Sequence, residues 1–216
     1  MTPKSFERLS HALLRHAPGD RAGEPGLRAA LAQAAGHPGK LVRAHLVLSG
    51  AIYHGLRTDS AERLACAVEY FHTASLVLDD LPCMDDATLR RGRACLHRAH
   101  GEATTILAAL ALINRAYSLI GDAMAGAPRA VRTRANACLE RCLGVDGLVG
   151  GQAWDLAFAR SDRSARTVGR IAGAKTGALF ELALLLPAAL ARPSAAEWQA
   201  LRALCVYWGQ AFQIAD

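Results

Sequence analysis

From about residue 5 onward the chain is a succession of Ala- and Leu-rich segments of helical period, separated by short clusters of Gly, Pro, Asp and Ser. No stretch alternates polar and apolar residues long enough to make a strand of consequence. The periodicity predicts helices over 5–15, 27–35, 40–54, 60–80, 102–125, 129–148, 164–172, 176–186 and from 194 to the end. Thr58-Asp59-Ser60 supplies an N-cap for the fourth, and Gly126-Ala127-Pro128 ends the fifth. Loops are expected at 19–26, 36–39 and 160–164. With no repeat or linker, the pattern is that of one all-α domain.

Composition excludes several classes. Over 216 residues, 52% hydrophobic against 20% charged describes a chain that packs a core. Aromatic residues make up 6%, too few for a base-stacking platform, and the net charge of +6 is spread without a basic run, so no nucleic-acid partner is expected. Of the 25 basic side chains only Lys4, Lys40 and Lys175 are lysines, which makes each internal lysine informative. Residues 1–18 carry His, Arg and Glu among their apolar positions and do not read as a signal peptide. The most apolar stretch, 177–191, contains Glu181 and Pro187 and is too short to span a bilayer, so no stable membrane insertion is expected. The six cysteines lack metal-finger spacing, and Cys138 and Cys142, one helical turn apart, are poorly placed to bridge. Free thiols in a reducing cytoplasm are the expectation.

The strongest local signal is Asp79-Asp80-Leu81-Pro82-Cys83-Met84-Asp85-Asp86. Four carboxylates in eight residues repel one another unless cations sit among them. A local bulge at Pro82-Cys83 would give Asp79 and Asp85 an effective spacing of four and let them converge. Hard oxygen donors with room for water and phosphate suit Mg²⁺ better than Zn²⁺. The bland alternative is a solvated acidic helix end. Against it stands the setting: Glu69-x-x-His72 precedes the cluster, His72 and Asp79 lie seven apart on nearly one face with Ser75 between them, and Arg90-Arg91-Gly92 follows. Alternating carboxylates and guanidiniums suit a ligand with several phosphates.

The run from His72-Thr-Ala-Ser-Leu-Val-Leu-Asp-Asp through Leu89-Arg90-Arg91-Gly92-Arg93 and Gly101-Glu102-Ala103 resembles the trans-isoprenyl diphosphate synthases. It is most like the bacterial geranylgeranyl diphosphate synthases. Gly39-Lys40-x-x-Arg43, Gly150-Gly151-Gln152-x-x-Asp155, Lys175-Thr176-Gly177 and Gly209-Gln210-Ala211-Phe212-Gln213-Ile214-Ala215-Asp216 match in the family's order. The resemblance implies a bundle of antiparallel helices around a central substrate cavity, with Asp79, Asp80, Asp85 and Asp216 at the Mg²⁺ site. Lys40, Arg43, His72 and Arg91 would hold isopentenyl diphosphate. Arg90, Lys175, Thr176 and Gln213 would contact the allylic diphosphate, with Thr176 and Gln213 oxygens beside the cation. Gln152 and Asp155 fit a polar pairing near the site. Small residues at Ala74 and Ser75, one turn before Asp79, favour a twenty-carbon product, where an aromatic side chain stops shorter chains. The implied chemistry is ionisation, condensation and elimination, with the leaving diphosphate as base.

Two departures qualify the resemblance. The family's Gly-Lys-Arg-x-Arg-Pro segment has Leu41 and Ala44 in place of its first Arg and its Pro. The chain also stops at Asp216, the first residue of the family's second Asp-Asp-x-x-Asp motif, so residues 1–216 read as a synthase domain incomplete at its C-terminus. Besides a geranylgeranyl diphosphate synthase, the sequence therefore admits a regulatory subunit of a full-length synthase, or a farnesyl diphosphate synthase. A homodimer, or a heterodimer with a related synthase, is expected.

Overall fold

The structure is a computed structural model that describes residues 3–19, 23–158 and 164–215, with side chains described over 5–19, 23–158, 164 and 167–207. The loop expectations at 19–26 and 160–164 fall partly outside the described residues, and Asp216 wholly so. Eleven α-helices carry the described fold: α1 (Pro3–His16), α2 (Pro25–Gly36), α3 (Val42–Tyr53), α4 (Thr58–Asp79), α5 (Leu96–His100), α6 (Glu102–Ala123), α7 (Arg129–Leu143), α8 (Leu148–Leu156), α9 (Ala165–Ala172), α10 (Ala178–Ala191) and α11 (Ala195–Ala215). Among the described residues the fold is all-α apart from one hairpin, β1 (Leu89–Arg90) and β2 (Arg93–Ala94).

Two compact units are formed, one from residues up to 45 and 62–123, the other from 46–61 and 124–216. In the first, α2 packs on α1, α5 and α6. Its interior is small and aliphatic: Ala12 of α1, Ala30 of α2, Ala65 of α4, and Ala108, Ala109 and Ala116 of α6 are fully buried beside Leu64, Leu112 and Leu119. Such side chains let helices approach closely at little rotamer cost. Tyr70 buries its ring and donates its hydroxyl to the Leu13 carbonyl at 2.5 Å, and Arg115 Nε reaches the His16 carbonyl at 2.9 Å.

In the second unit α10 is the central element, lying against α7 and α11. Ten of its residues are buried, among them Leu179, Phe180, Leu182, Leu185 and Leu186. The helix was expected to stop before Pro187 but continues to Ala191, because the proline ring is buried and rests against Gly50, where a Cβ would stand 3.6 Å from it. With α9 and a five-residue π-helical segment, Gly173–Gly177, this makes one helical run from Ala165 to Ala191, of which Thr167–Ala191 is a 25-residue apolar span. The span is long and apolar enough to cross a membrane, but 56% of its apolar window is buried in protein, as in a core helix.

Other differences have local causes. The segment expected as one helix over 129–148 ends at Leu143, because Gly144 leaves the helical region with φ −78° and ψ −158°, and α8 begins only at Leu148. The third helix starts at Val42 rather than 40, because Leu41 adopts φ 51°, outside the helical region. The hairpin lacks a sequence signal since each strand has two residues; it rests on the two-residue turn Arg91-Gly92, both at positive φ (54° and 77°) as a type I′ turn requires. All six cysteines are free, as expected.

Candidate active site

The carboxylate cluster sits at the C-terminal end of α4. There the helix dipole is negative and its last carbonyls lack helical partners, so acidic side chains are least comfortable at that end. The sequence led us to expect a bulge at Pro82-Cys83; instead the helix stops at Asp79 and the chain folds back. Leu81 N–H bonds to Leu78 O at 3.2 Å, Met84 N–H to Leu81 O at 2.9 Å, and Asp85 N–H to Asp79 O at 2.9 Å. The convergence of the two positions therefore comes from a turn that returns Asp85 to the backbone of Asp79, and not from a bulged helix.

Arginines of the following segment neutralise the other two carboxylates. Asp80, 4% exposed, is gripped by Arg90 through Nη2 and through Nε at 3.0 Å. This bond is also the main reason the Arg90 guanidinium holds its proton more firmly than usual. Arg98 Nη2 lies 3.1 Å from Asp86. Arg90, assigned by resemblance to the allylic diphosphate, thus meets its carboxylate with one edge of the guanidinium.

Two turns back along α4 from Asp79, His72 accepts a hydrogen bond at Nε2 from Arg43 Nη1 at 3.4 Å. Burial and the surrounding charges of Arg43, Arg91 and Arg90 push the imidazole pKa down to about 3, so the ring is neutral. The permanent charge of Arg43 then fixes Nε2 as the acceptor and leaves the proton on Nδ1. Beneath them lies Glu69, 4% exposed, with its carboxyl pushed up by burial and held back by Arg43, Arg91 and the N–H of Ala44. That N–H belongs to the first turn of α3, where amides lack helical acceptors. Ala44 stands where the family has proline, and a proline has no N–H to give Glu69. The other departure, Leu41, is 1% exposed and fills core space.

The helix expected over 40–54 would put Lys40 and Arg43 on one face; instead Lys40 precedes the helix and is solvent-exposed. Arg91, at the tip of the hairpin, lays its guanidinium on the backbone of Gly39, where any side chain would collide with it. Ala74 is 1% exposed in the interior, and Ser75 turns its hydroxyl back to the His72 carbonyl at 2.8 Å. The first unit thus brings together Arg43, His72, Arg91, Arg90 and the aspartates, with Glu69 as a backing carboxylate. Sequence reasoning gave Glu69 no role beyond its three-residue spacing to His72.

The second unit holds the other group. Lys175 lies in the π-helical segment Gly173–Gly177, a wider turn than α-helix that occurs often at functional sites. Its Nζ is 2.6 Å from Asp155 Oδ2 on α8, a partner the sequence did not point to. Gly151 makes this possible: α8 crosses so close that a Cβ there would run into the Lys175 N–H and the Ala174 backbone. Arg170 stacks over Trp154 at 3.7 Å on the same helix pair. Thr176 is half-buried in the π segment. Gln213 lies on α11, but its side chain is outside the described residues, as is Asp216.

A cation cradle, an acidic helix end and an all-α frame narrow the class, and comparison with known proteins identifies it. The family model for polyprenyl synthetases matches residues 24–216, and the chain belongs to that family. It is 41% identical over 190 residues to the geranylgeranyl diphosphate synthase of Pantoea ananas, covering 87% of this chain and 63% of that enzyme. It is also 35% identical over 181 residues to the heterodimeric geranylgeranyl pyrophosphate synthase large subunit 2 of Arabidopsis thaliana, covering 82% of this chain and 48% of that protein. The chain therefore spans about half to two thirds of the length of these relatives. The crystal structure of an FPP/GFPP synthase from Zymomonas mobilis superposes with a TM-score of 0.90 at 32% identity, covering 99% of this chain and 77% of that one. A geranyltransferase of Helicobacter pylori, solved with magnesium and isoprenyl diphosphate, gives 0.86 at 26% identity, over 100% of this chain and 75% of that one.

Proposed function

We propose that the chain is the catalytic portion of a cytoplasmic trans-prenyltransferase that condenses isopentenyl diphosphate with an allylic diphosphate, farnesyl diphosphate, to give geranylgeranyl diphosphate. The observation that carries this reading is the cradle of Arg43, Arg91 and neutral His72 beside the turn that joins Asp79 to Asp85.

Among the described residues no three His, Cys, Asp or Glu side chains gather as a metal-holding group. Two carboxylate positions linked through the backbone are nonetheless the donor set that Mg²⁺ uses when water and substrate phosphates complete its shell. Asp79 and Asp85 would hold it, with Asp216 as a further carboxylate. Bound there, Mg²⁺ supplies charge to the departing diphosphate. Asp80 fixes Arg90 so that the remaining edge of its guanidinium meets the allylic diphosphate. Lys40, Arg43, His72 and Arg91 grip the diphosphate of isopentenyl diphosphate, with neutral His72 holding Arg43 through its Nε2 acceptor. Lys175, positioned by Asp155, and Thr176 and Gln213 contact the allylic partner as its C–O bond breaks. The isopentenyl double bond attacks the resulting cation, and the released diphosphate takes the proton. Exclusion of water protects the cation. Small side chains at Ala74 and Ser75 favour a twenty-carbon product.

Assembly as a dimer, with a second copy or with a related synthase, is supported by α6. It exposes Ile106, Leu107, Leu110 and Tyr117 along one face, each at least 41% accessible. The similarity to a heterodimeric large subunit supports the mixed form.

The test is incubation with Mg²⁺, farnesyl diphosphate and isopentenyl diphosphate, reading released diphosphate and product length. A twenty-carbon product lost on chelation is expected. No turnover alone, together with altered turnover when a full-length relative is added, would replace the catalytic reading with that of a partner subunit.

A further inference from the structure

The first unit contains a cavity of about 470 Å³ that does not include Lys40, Arg43 or His72. It opens on the neighbouring face of α4, through Thr73, Leu76 and Val77, and is closed by α1, α2 and the hairpin. Its volume is ordinary for a small-molecule site.

One wall is apolar, formed by Phe6, Ala34, Leu76, Val77 and Leu96. The mouth is cationic. Arg90 and Arg93 are direct cross-strand partners in the hairpin, and Arg91 sits on the turn between them. Like charges placed so cost stability unless something compensates them. Arg90 is compensated by Asp80. Arg93 instead leans on a ring nitrogen of His37, and Arg91 reaches only the His37 carbonyl at 3.5 Å. Among the described residues, Arg93 has no carboxylate within salt-bridge distance, and Arg91 acts on a carboxylate only electrostatically, on buried Glu69 outside the cavity. Two positive charges thus stand at the entrance of an apolar pocket whose one carboxylate, Asp80, is already in an ion pair.

We infer that this cavity is a second, metal-independent site for a prenyl diphosphate, with the diphosphate on Arg91 and Arg93 and the hydrocarbon chain between Phe6, Leu76 and Val77. Arg91 also lies on Gly39 and within electrostatic reach of Arg43 and His72. It is therefore shared with the isopentenyl diphosphate cradle. Occupancy of the cavity draws Arg91 away from that cradle, so a long-chain product inhibits competitively against isopentenyl diphosphate rather than against the allylic substrate. The choice of ligand rests on the function proposed above; the existence of the site does not.

The test is calorimetric titration of the chain with geranylgeranyl diphosphate in EDTA, which removes metal-dependent binding and needs no turnover. Saturable binding is expected, weakened about tenfold by R93A, the loss of one charge-assisted contact, and by A94W, which fills the cavity from its exposed rim. K40A, in the separate cradle, leaves it unchanged, and inorganic diphosphate binds at least tenfold more weakly. The inference falls if no binding is seen, if R93A and A94W both bind as the parent does, if K40A alone abolishes binding, or if inorganic diphosphate binds equally well. An inactive chain that binds in this pattern supports the cavity and tells against the proposed reaction; an active chain whose binding ignores R93A does the reverse.

Discussion

The two units arrange their buried and half-buried charges differently. In the first, Arg43, Arg91 and His72 gather around a single buried carboxylate, Glu69, and burial together with neighbouring charge keeps the imidazole neutral. In the second, Lys175 is matched by Asp155 at 2.6 Å on a close approach of two helical segments. The first group sets its charges around a buried carboxylate, where the half-buried Arg43 interacts strongly and the exposed Arg91 less so. The second keeps its charge balanced in a half-exposed setting, where each interaction is weak. The first should thus govern affinity and stability together, and the second should mainly orient a side chain.

The largest effect tests that contrast directly. R43A should lower kcat/KM for isopentenyl diphosphate by about 10²–10³-fold, the scale of losing a preorganised cation. It also strips the main partner from buried Glu69, and breaking a buried pair costs about 3–5 kcal/mol. R91Q, at an exposed position, should raise KM about tenfold, the loss of one charge-assisted contact, with an unchanged melting temperature. Steady-state kinetics and thermal melts separate the two. Equal melting temperatures for both variants would refute a buried charge centre around Glu69.

Next in size is G151A. The added methyl meets backbone at Lys175 and Ala174, which cannot rotate away as a side chain tip can. Overpacking of this kind costs about 1–3 kcal/mol. Chemical denaturation should show that loss, and kcat should fall with it because Lys175 is displaced. A drop in kcat at full stability would mean that the two segments shift freely.

A smaller effect is read against pH. His72 titrates near 6.5 when unfolded and near 3 when folded, so the unfolded chain binds the extra proton between these values. Its contribution is present above pH 6.5 and is lost as pH falls toward 3. Glu69 acts in the opposite sense: its raised carboxyl contributes stability below its unfolded value that is lost as pH rises through the folded one. H72Q keeps an acceptor for Arg43 without the titration. Between pH 7 and 5.5 the parent should lose about 1 kcal/mol more than H72Q, measured by denaturation at each pH. KM for isopentenyl diphosphate should show no inflection near 6.5.

The helical frame was legible because Ala/Leu periodicity is local, and the candidate residues Asp79, Arg91 and Lys175 stand out in the sequence because they fall in motifs of specific spacing. What the sequence hid depends on backbone geometry. The spacing of Lys40 and Arg43 suggested one helix face, but the left-handed turn at Leu41 puts Lys40 before the helix. The spacing of Asp79 and Asp85 suggested a bulge, whereas a capping turn does the same work. The π segment at Lys175 arises from the close pass of α8, a tertiary constraint that leaves only Gly151 as its trace. Glu69 was missed because its partners, the Arg43 guanidinium and the Ala44 amide, come from another helix.

The smallest effect concerns Asp155. Its carboxylate and the Lys175 ammonium retain 36% and 26% side-chain exposure, so water screens the pair and its worth is at most about 1 kcal/mol. D155N should leave the denaturation midpoint almost unmoved. If Asp155 serves to aim Lys175, the amide still accepts a hydrogen bond but no longer offsets its charge, so the lysine turns more readily to a diphosphate. KM for the allylic substrate should then fall or hold while kcat declines several-fold, the pattern of a loosened orientation. A D155N enzyme with a raised allylic KM and full kcat would show instead that the carboxylate touches the ligand itself. A D155N enzyme that melts well below the parent would overturn the contrast between the two units, because the second charge centre would then be as deeply buried in its energetics as the first.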